Sequence, residues 1–548
     1  MLLTLTTFLP LAGAILLLML PKEEVGLLKG TAFALSTLTF LVSLGLLGLD
    51  PTGFSHVVDV AWVEPLGMRF HLGVDGISLW LILLTTFLMP IVIASSWFAI
   101  DKKVREFVIA LLVLETGMIG TFAALDLFFF YIFWEVMLIP MYLIIGIWGG
   151  ERRLYASIKF VIYTMVGSLL MIVAILYLYV QNHTLTGVWT FDYETLRQVI
   201  LPHGPQLLCF LAFALAFCIK VPLFPFHTWL PDAHVEAPTA GSVILAAIML
   251  KFGGYGLLRF AFPMFPWAAG VVAPYLSILA VIGIVYGSLV AFAQTDIKKL
   301  IAYSSVAHLG FVVLGIAMWT QKSIDGALYQ MLAHGISTGG LFLCVGVIYE
   351  RRHTRRIDEY GGIASVMPKY LAAFLILTMA SIGLPLLSGF VGEFLILIGS
   401  FGAYATWDGL PTFFAHPKLL VGISTTGVIL AAVYMLFLFQ KVMFGPNDNP
   451  KNKNLLDLTP REVAYLVPMV LMAFWLGCYP NTFLSDIDPA VAQTMAQFKT
   501  KWGQSVEETA TPKRMSAEAP GDPDAADRTV KTIEVAPGVM APAPTQVE

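Results

Sequence analysis

Apolar runs recur from one end of the 548-residue sequence to the other, and each is close to the ~20 residues that one helix needs to cross the hydrocarbon core of a bilayer. Charged residues make up only 12% of the chain, roughly half the share found in soluble domains. Soluble chains of this length usually divide into several domains with separate cores. The uninterrupted pattern instead predicts an all-α, polytopic membrane protein.

The runs number about fourteen by this length criterion. In chain order they lie at 2–20, 30–48, 77–100, 107–125, 127–147, 154–180, 206–230, 240–260, 272–293, 300–320, 326–349, 370–402, 418–440 and 462–480. From about Ser505 onward the sequence is rich in proline, alanine and acidic residues, a composition that cannot bury an apolar face. We therefore predict a disordered tail over 505–548.

Charges between the runs are distributed asymmetrically. The connections after even-numbered runs are acidic or contain few charges, as at 50–64 and 192–194. Because basic loops remain in the cytoplasm, we predict that the connections after odd-numbered runs are cytoplasmic and that both termini are periplasmic. The basic residues are Lys22, Lys29, Lys102, Lys103, Arg105, Arg152, Arg153, Lys298, Lys299, Arg351, Arg352, Arg355, Arg356, Lys441, Lys451, Lys453 and Arg461.

Several classes of protein are excluded by missing motifs. The sequence contains no basic patch with interleaved aromatic residues, which argues against nucleic-acid binding, and no strand–helix G-x-G-x-x-G unit for a dinucleotide. The first run begins at Met1 with no basic stretch before it, so we expect a retained helix and not a signal peptide. The cysteines form no C-x-x-C pair and are predicted to be small core residues: Cys209, Cys218, Cys344 and Cys478.

Ionisable residues inside the runs are the strongest functional signal. A charge at the centre of a membrane helix costs at least about 2.5–3.5 kcal/mol on insertion scales, and such residues by default mark ion pathways or proton relays. We predict a proton-transfer chain through the membrane interior, with secondary candidates beside it. The chain comprises Glu135, Lys220, Lys251, His308 and Glu393, and the secondary candidates are Glu115, His227 and His334.

These residue types suit proton exchange. Desolvation disfavours a charged lysine and a nearby carboxylate restores it, so a Lys–Glu pair of variable geometry can switch its proton affinity. Histidine exchanges protons near neutral pH. The alternative for each residue is a structural pair that only joins helices. For Glu115, a structural role and a role in the proton relay are equally supported. For His334, a histidine that packs between helices is the more common interpretation.

Two runs contain helix breakers beside a charge. Pro222 and Pro225 follow Lys220, and Gly383 and Pro385 precede Glu393. Proline removes a backbone donor and clashes with the preceding turn, and irregular backbone at membrane depth persists only where it is buried or lines a cavity. Paired interrupted helices indicate inverted repeats around a transport site. We therefore predict helices 1–3 over 1–106, a first repeat of helices 4–8 over 107–260, an inverted second repeat of helices 9–13 over 272–443, and helix 14 over 462–484.

Six motifs between residues 133 and 308 carry a resemblance to a known family: Phe133-Trp134-Glu135, Pro140-Met141-Tyr142, His227–His234, Ala237–Val243, Leu250–Gly256 and Thr295–Ser305 leading to His308. With them, the sequence over about 100–485 resembles the antiporter-like subunits of proton-pumping NADH:quinone oxidoreductase, respiratory complex I. Three homologous subunits, L, M and N, share the pattern, and a glutamate at position 393 favours the M class. L also has a long lateral helix and extra spans that have no counterpart here, whereas the acidic tail departs from the family pattern.

The resemblance implies two inverted five-helix bundles and a role for each relay residue. Glu135 would modulate Lys220, the central proton site. Lys251 and His308 would connect it to Glu393 on the exit side. NADH, FMN, iron–sulfur clusters and quinone would lie on other subunits, with no cofactor or metal in this chain. The partners would be other membrane subunits of the complex, especially L and N, in a bacterial inner membrane.

Two rival functions remain open. A subunit of a multisubunit cation/proton antiporter shares the lysine–glutamate core but has no redox partner, so co-purification with flavin- and cluster-bearing subunits separates it from the first interpretation. A passive scaffold subunit would use its buried charges only to join helices. It predicts that Lys220→Ala leaves proton pumping intact.

Overall fold

The computed structural model describes residues 1–48, 50, 53–403 and 417–510, and the side chains of 506–510 are outside that description. Helices dominate it, as predicted for a membrane protein. Their bounds are α1 Leu2–Met19, α2 Val25–Ser43, α3 Leu79–Ser95, α4 Val104–Ala123, α5 Leu127–Val136, α6 Leu138–Trp148, α7 Arg153–Thr186, α8 Tyr193–Leu196, α9 His203–Lys220, α10 Trp229–Glu236, α11 Thr239–Ile244, α12 Lys251–Gly256, α13 Phe262–Met264, α14 Pro266–Phe292, α15 Ile297–Met318, α16 Gln321–Arg352, α17 Pro368–Ile382, α18 Ser388–Phe401, α19 Pro417–Met443, α20 Pro460–Cys478 and α21 Asn481–Ala510.

Twelve helical segments within the described residues are long and apolar enough to cross a membrane. Three shorter apolar helices, α3, α17 and α18, accompany them. The predicted runs 77–100 and 370–402 fall on these shorter helices. The multi-span, helical architecture is confirmed, whereas the count of fourteen spans stays a prediction.

Both predicted helix breaks are present. The seventh run divides where α9 ends at Lys220 and α10 begins at Trp229. The twelfth divides where α17 ends at Ile382 and α18 begins at Ser388. Gly383 ends α17 with a φ of 83°, a left-handed conformation that glycine adopts without steric cost. Each break lies beside the ionisable side chain that its run carries.

Two further interruptions were not predicted. The fifth run breaks between α5 and α6, directly after Glu135. The eighth run contains two π-helical turns, Leu245–Met249 and Leu257–Ala261, which flank α12 and Lys251. Such turns often occur at functional sites, and no proline marks them in the sequence.

Two aspartates cap corresponding helices of the predicted repeats. Asp126 accepts hydrogen bonds from the backbone amides of Phe128 and Phe129 at the start of α5, and Asp296 accepts one from Lys299 at the start of α15. Carboxylates at this position satisfy amides that lack an intrahelical partner. Asp126 lies beside the acidic loop 192–194, whereas Asp296 lies beside the basic residues 355–356. The two caps occupy matching positions in the predicted repeats, and the inversion of those repeats stays a prediction.

A two-stranded hairpin departs from the predicted all-helical chain. Strands β1 (Ser55–Val63) and β2 (Met68–Val74) pair antiparallel, with Val58 opposite Leu72 and Val60 opposite Phe70. The connection after the second run is therefore ordered. Its short strands fall below any length criterion for a membrane span, which explains why hydropathy alone did not identify them.

The C-terminal boundaries also require correction. The predicted helix over 462–484 is divided, because α20 ends at Cys478 and α21 begins at Asn481. Residues 505–510, predicted to be disordered, continue α21, whose apolar face buries Ile487, Val491 and Phe498. The predicted tail over 511–548 lies outside the described residues. The amphipathic face of α21 stabilises a helix that its low average hydropathy did not indicate.

Three charge and cysteine assignments were also wrong in detail. Lys29 belongs to α2 and Lys298 to α15, and both are buried instead of lying in exposed connections. Both donate to backbone carbonyls, which explains how the structure accommodates them. Cys478 is exposed at the end of α20, whereas the other three cysteines are buried as predicted.

Candidate proton-transfer site

Lys220 and Glu135 form a pair supported by aromatic rings. Lys220 is 1% exposed, and its Nζ lies 5.2 Å from the ring centroid of Trp134 and 5.6 Å from that of Phe160. Half-buried Glu135 is the carboxylate whose charge acts on this ammonium group. Neither Lys220 Nζ nor Glu135 Oε1 finds a hydrogen-bond partner among the described residues. The pair is therefore held by charge and ring faces and not by a fixed hydrogen bond.

Lys251 has more definite partners. It is fully buried at the first position of α12, directly after a π-helical turn. Its Nζ donates to the carbonyl oxygen of Ala246 at 2.6 Å and contacts Nδ1 of His334 at 2.7 Å. His334, a secondary candidate in the sequence, is thus brought into direct contact with a primary one.

Glu393 lies within a network of polar side chains. Its Oε1 is 2.9 Å from His308 Nδ1 and accepts a hydrogen bond from Gln330 Nε2 at 3.1 Å. The other ring nitrogen of His308 lies 3.3 Å from the Tyr434 hydroxyl and 3.5 Å from that of Ser381. Both His308 and Glu393 are 3% exposed. The network therefore joins five helices, α15 to α19, in the interior of the second predicted repeat.

The two histidines bring these groups into one row. The ring centroids of His308 and His334 are 5.8 Å apart, and Nε2 of His334 has no hydrogen-bond partner within the described chain. Lys251, His334, His308 and Glu393 consequently follow one another in space. Of the predicted set, the structure places Lys251, His308 and Glu393 in this row.

The Lys220 pair adjoins the row through tightly packed backbone. A Cβ at Gly253 would lie 2.5 Å from the amide nitrogen of Val221, which brings the turn after Lys251 against the end of α9. Phe252 also faces the Trp134 ring at 6.3 Å, the same ring that lies under Lys220. The candidate site is therefore continuous in packing from Glu135 to Glu393.

Two secondary candidates occupy separate buried positions. Glu115 is fully buried in α4, and neither carboxylate oxygen has a hydrogen-bond partner in the part of the chain described. His227 is 2% exposed between α9 and α10, and its ring lies 5.4 Å from that of Tyr286. Neither is hydrogen-bonded to the row. The structure thus confirms their burial and leaves their roles as predictions.

Sequence reasoning missed His234 and Lys298. His234 is fully buried, its ring stacks on Phe342 at 4.7 Å, and both Lys298 and Lys251 act on it electrostatically. Lys298 Nζ donates to the Ala237 carbonyl oxygen at 2.8 Å. His234 is the last residue of the His227–His234 motif, so the motif already pointed to it as a candidate. Lys298 was hidden because it stands in a basic cluster.

The hairpin end of the bundle is fixed by one ion pair and one histidine–aspartate contact. Asp75 accepts hydrogen bonds from Arg259 Nη2 at 2.5 and 2.6 Å, and both side chains are buried. Outside the membrane, Asp192 lies 2.8 Å from His71 Nδ1. Burial raises the pKa of the Asp192 carboxyl, but hydrogen bonds from His71 and Thr195 outweigh it, so the pKa falls below its ordinary value.

The arrangement suits proton transfer better than binding of a small molecule or metal. An amine, two imidazoles and a carboxyl group follow one another in the interior, with contacts of 2.7 Å between Lys251 and His334 and 2.9 Å between His308 and Glu393, and each group can hold or release a proton. Among the described residues, no group of three or more His, Cys, Asp or Glu side chains is arranged to hold a metal ion. Ionisable groups inside a membrane bundle ordinarily pair with one another along ion routes.

Comparison with known proteins identifies the family to which the chain belongs. A family model described as NADH:quinone oxidoreductase/Mrp antiporter, TM, matches residues 124–415. The chain is 48% identical over 523 residues to NADH-quinone oxidoreductase subunit M of Rhodobacter capsulatus, covering 93% of this chain and 99% of that relative. The chain belongs to the NADH-quinone oxidoreductase M-subunit family. NADH-quinone oxidoreductase subunit M of Rickettsia prowazekii is 42% identical over 503 residues, with 90% of this chain and 99% of the relative covered.

Solved structures agree with this family assignment. A chain of respiratory complex I from Thermus thermophilus with bound NADH is 34% identical, with a TM-score of 0.81, and the match covers 91% of this chain and all of that one. A chain of the Mrp complex from Dietzia has a TM-score of 0.75 at 18% identity, with 92% and 99% covered. That second likeness concerns the fold alone. The fold is therefore shared with a chain of the Mrp complex.

Proposed function

We propose that this chain is a proton-translocating membrane-arm subunit of NADH:quinone oxidoreductase. The observation that carries the proposal is the continuous row of buried groups, Lys251, His334, His308 and Glu393, adjoining the Lys220–Glu135 pair. A buried ion pair with only a structural role is stable when hydrogen bonds satisfy both of its members. Here Lys220 Nζ has no hydrogen-bond partner among the described residues, an arrangement that leaves the group free to exchange a proton.

In the proposed mechanism, Glu135 modulates Lys220 by changing its distance or charge state. Loss of the carboxylate's attraction disfavours the ammonium form in a low-dielectric site, and the proton passes toward Lys251. His334 and His308 relay it, because each imidazole can accept on one nitrogen and donate from the other. Glu393 is the exit-side site.

The helix breaks explain how such a pair can move. The breaks after Lys220 and before Ser388 interrupt the intrahelical hydrogen-bond ladder, and the one after Glu135 divides α5 from α6. A divided helix can shift one half without deforming the other. Long-range coupling to quinone reduction requires a two-state element of this kind.

The remaining assignments follow the family. We propose that NADH, FMN, iron–sulfur clusters and quinone are bound by other subunits, so this chain acts as part of a translocase and holds no redox centre itself. We propose the homologous L and N subunits as membrane partners. The basic connections would face the bacterial cytoplasm and the hairpin, α21 and both termini the periplasm.

The test uses the assembled complex in proteoliposomes, with NADH oxidation and proton uptake measured together. Lys220→Ala is expected to reduce proton translocation severely while the complex still assembles with its flavin and cluster subunits. Lys418→Ala is the matched control, because Lys418 also lies over an aromatic ring, Phe401 at 5.3 Å, but outside the row. Unchanged pumping in the Lys220 variant would support a scaffold role, and purification without redox subunits would support a separate cation/proton antiporter.

A further inference from the structure

A groove on the outside of the bundle is separate from the proton-transfer row. It lies between α2, α3 and α20 and encloses about 690 Å³, within the ~300–1,000 Å³ typical of small-molecule sites. Its walls are almost entirely apolar, with Phe33, Phe40 and Phe87 among them. A second cavity of about 460 Å³ shares Phe40 and Phe87 with the first and continues along the same helices. The two cavities therefore adjoin along α2, α3 and α20 and are together called the apolar channel, with Asp486 of α21 lining the second cavity.

One cation stands at the end of this groove. Arg461, the second residue of α20, lines the cavity, and its guanidinium carbon lies 4.3 Å from the Phe98 ring centroid. Its Nε and Nη1 atoms are inaccessible and have no hydrogen-bond partner in the described chain. Buried guanidinium nitrogens normally donate hydrogen bonds. Nη2 is not among the inaccessible atoms and makes no hydrogen bond among the described residues, so it is the guanidinium nitrogen that an occupant of the groove can reach.

The surrounding charges define the polar end of the groove. Lys29 Nζ donates to the carbonyl oxygens of Trp97 and Ile100 at 2.6 and 2.7 Å, which fixes the end of α3 beside Arg461. Asp101 acts on Lys29, and Glu350 acts on Arg461 electrostatically. Among the described residues no hydrogen bond joins Glu350 to Arg461, so the accessible Nη2 remains available to an anion.

We propose that this groove binds a diacyl phospholipid, whose phosphate pairs with Arg461 and whose acyl chain lies along α2, α3 and α20. A phosphate offers several acceptor oxygens to the two N–H donors of Arg461 Nη2, and basic pockets between membrane helices commonly hold lipid headgroups. The cation lies where the basic connections meet, and the apolar channel extends from it toward the opposite end. This polarity matches a phospholipid, which carries its charge at one end of a long apolar body.

The test combines lipid analysis with electron cryomicroscopy of the intact complex in nanodiscs of dioleoyl phosphatidylglycerol. The wild-type complex is expected to retain a phospholipid through detergent washing, with density for its phosphate beside Arg461. Arg461→Gln is expected to weaken retention by at least about tenfold, a factor set by loss of one charge-assisted contact. Arg152→Gln is the matched control, because Arg152 also stacks on a ring, that of Tyr155 at 4.7 Å, without lining the groove.

A second variant fills the groove without touching the charge. Ala464→Phe places a ring in the cavity, whereas Thr426→Phe adds the same ring at an exposed position of α19 that lines neither cavity. Only the first should displace the lipid. The proposal is overturned if all four variants retain the same phospholipid as the wild type, or if the density in the groove is a quinone, a detergent or a helix of another subunit. Because proton uptake is measured separately, failure here leaves the proton-transfer proposal unaffected.

Discussion

The ion pair between Asp75 and Arg259 should dominate the stability of the hairpin end of the bundle. Both nitrogen–oxygen contacts are 2.5–2.6 Å, and the side chains are 11% and 4% exposed for Asp75 and Arg259. Removal of one member leaves an uncompensated buried charge, which costs about 3–5 kcal/mol. Stacking of Arg259 on Phe54 at 5.1 Å and Tyr255 at 5.7 Å recovers only part of this. We therefore expect Asp75→Ala to lower the free energy of unfolding by about 3 kcal/mol or more.

Buried cysteines report this change in the native complex. Cys209, Cys218 and Cys344 are buried, whereas Cys478 is exposed and can be replaced by serine beforehand. When opening is fast relative to labelling, the thiol-labelling rate follows the population of the open state. A loss of 3 kcal/mol then raises that rate by about two orders of magnitude.

The double variant Asp75→Leu/Arg259→Leu distinguishes a buried charge from lost packing. Replacement of both members of a buried ion pair by apolar residues is often neutral, so the double variant should label more slowly than Asp75→Ala. The reasoning is refuted if Asp75→Ala labels at the wild-type rate, or if the double variant labels as fast as the single one.

Three more predictions follow from the structure. Gly253→Val should prevent proper assembly, because a Cβ at this position already overlaps the backbone of Phe217 and Val221. The amount of intact complex on native gels measures this effect, and Gly422→Val is the control because nothing lies within 4 Å of a Cβ there. Glu393→Gln should keep the shape of the site but remove the ionisable carboxyl group beside His308. Proton uptake per NADH should therefore fall, whereas NADH oxidation by the solubilised complex should change less. An equal loss of both activities would contradict a role in translocation. Burial and then the charge of Arg197 lower the pKa of Lys501, in α21, to about 7 from its ordinary value of 10.5. The unfolded segment then binds more protons than the packed one between about pH 7 and 10.5, so packing of α21 should strengthen as pH rises through that window. Hydrogen exchange of α21 at several pH values measures this, and Lys501→Met should abolish the dependence.

The sequence predicts most of the residues of the row but not which of them contact one another. Lys220, Lys251, His308 and Glu393 stood out because membrane runs rarely contain ionisable residues. His334 was set apart because a lone histidine on a helix is usually a packing residue. Its contact with Lys251 joins positions 83 residues apart, and no pattern within one helix reports a contact of that kind. The sequence predicts Lys298 to be an exposed loop residue, because a cluster of basic residues does not indicate which of its members is buried.

Some local features escaped detection for a similar reason. The π-helical turns around Lys251 contain no proline, so the apolar pattern continues through them unchanged. The mean hydropathy of helix α21 is too low for a membrane span, and the helix is stabilised by burial of one face against the rest of the bundle. The hairpin is held by pairing between two short strands, whose apolar residues are too few to resemble a span.

The sequence by itself determined that the chain is helical and crosses a membrane, because apolar length and backbone hydrogen bonding leave few alternatives in lipid. It also determined where α9 and the α17–α18 segment break, since proline and glycine act locally. Only the tertiary structure decided that Lys251 meets His334, that Glu393 meets His308, and that Arg461 stands at the end of an apolar groove. Those contacts depend on how helices pack across the bundle, and packing joins residues that the linear order keeps far apart.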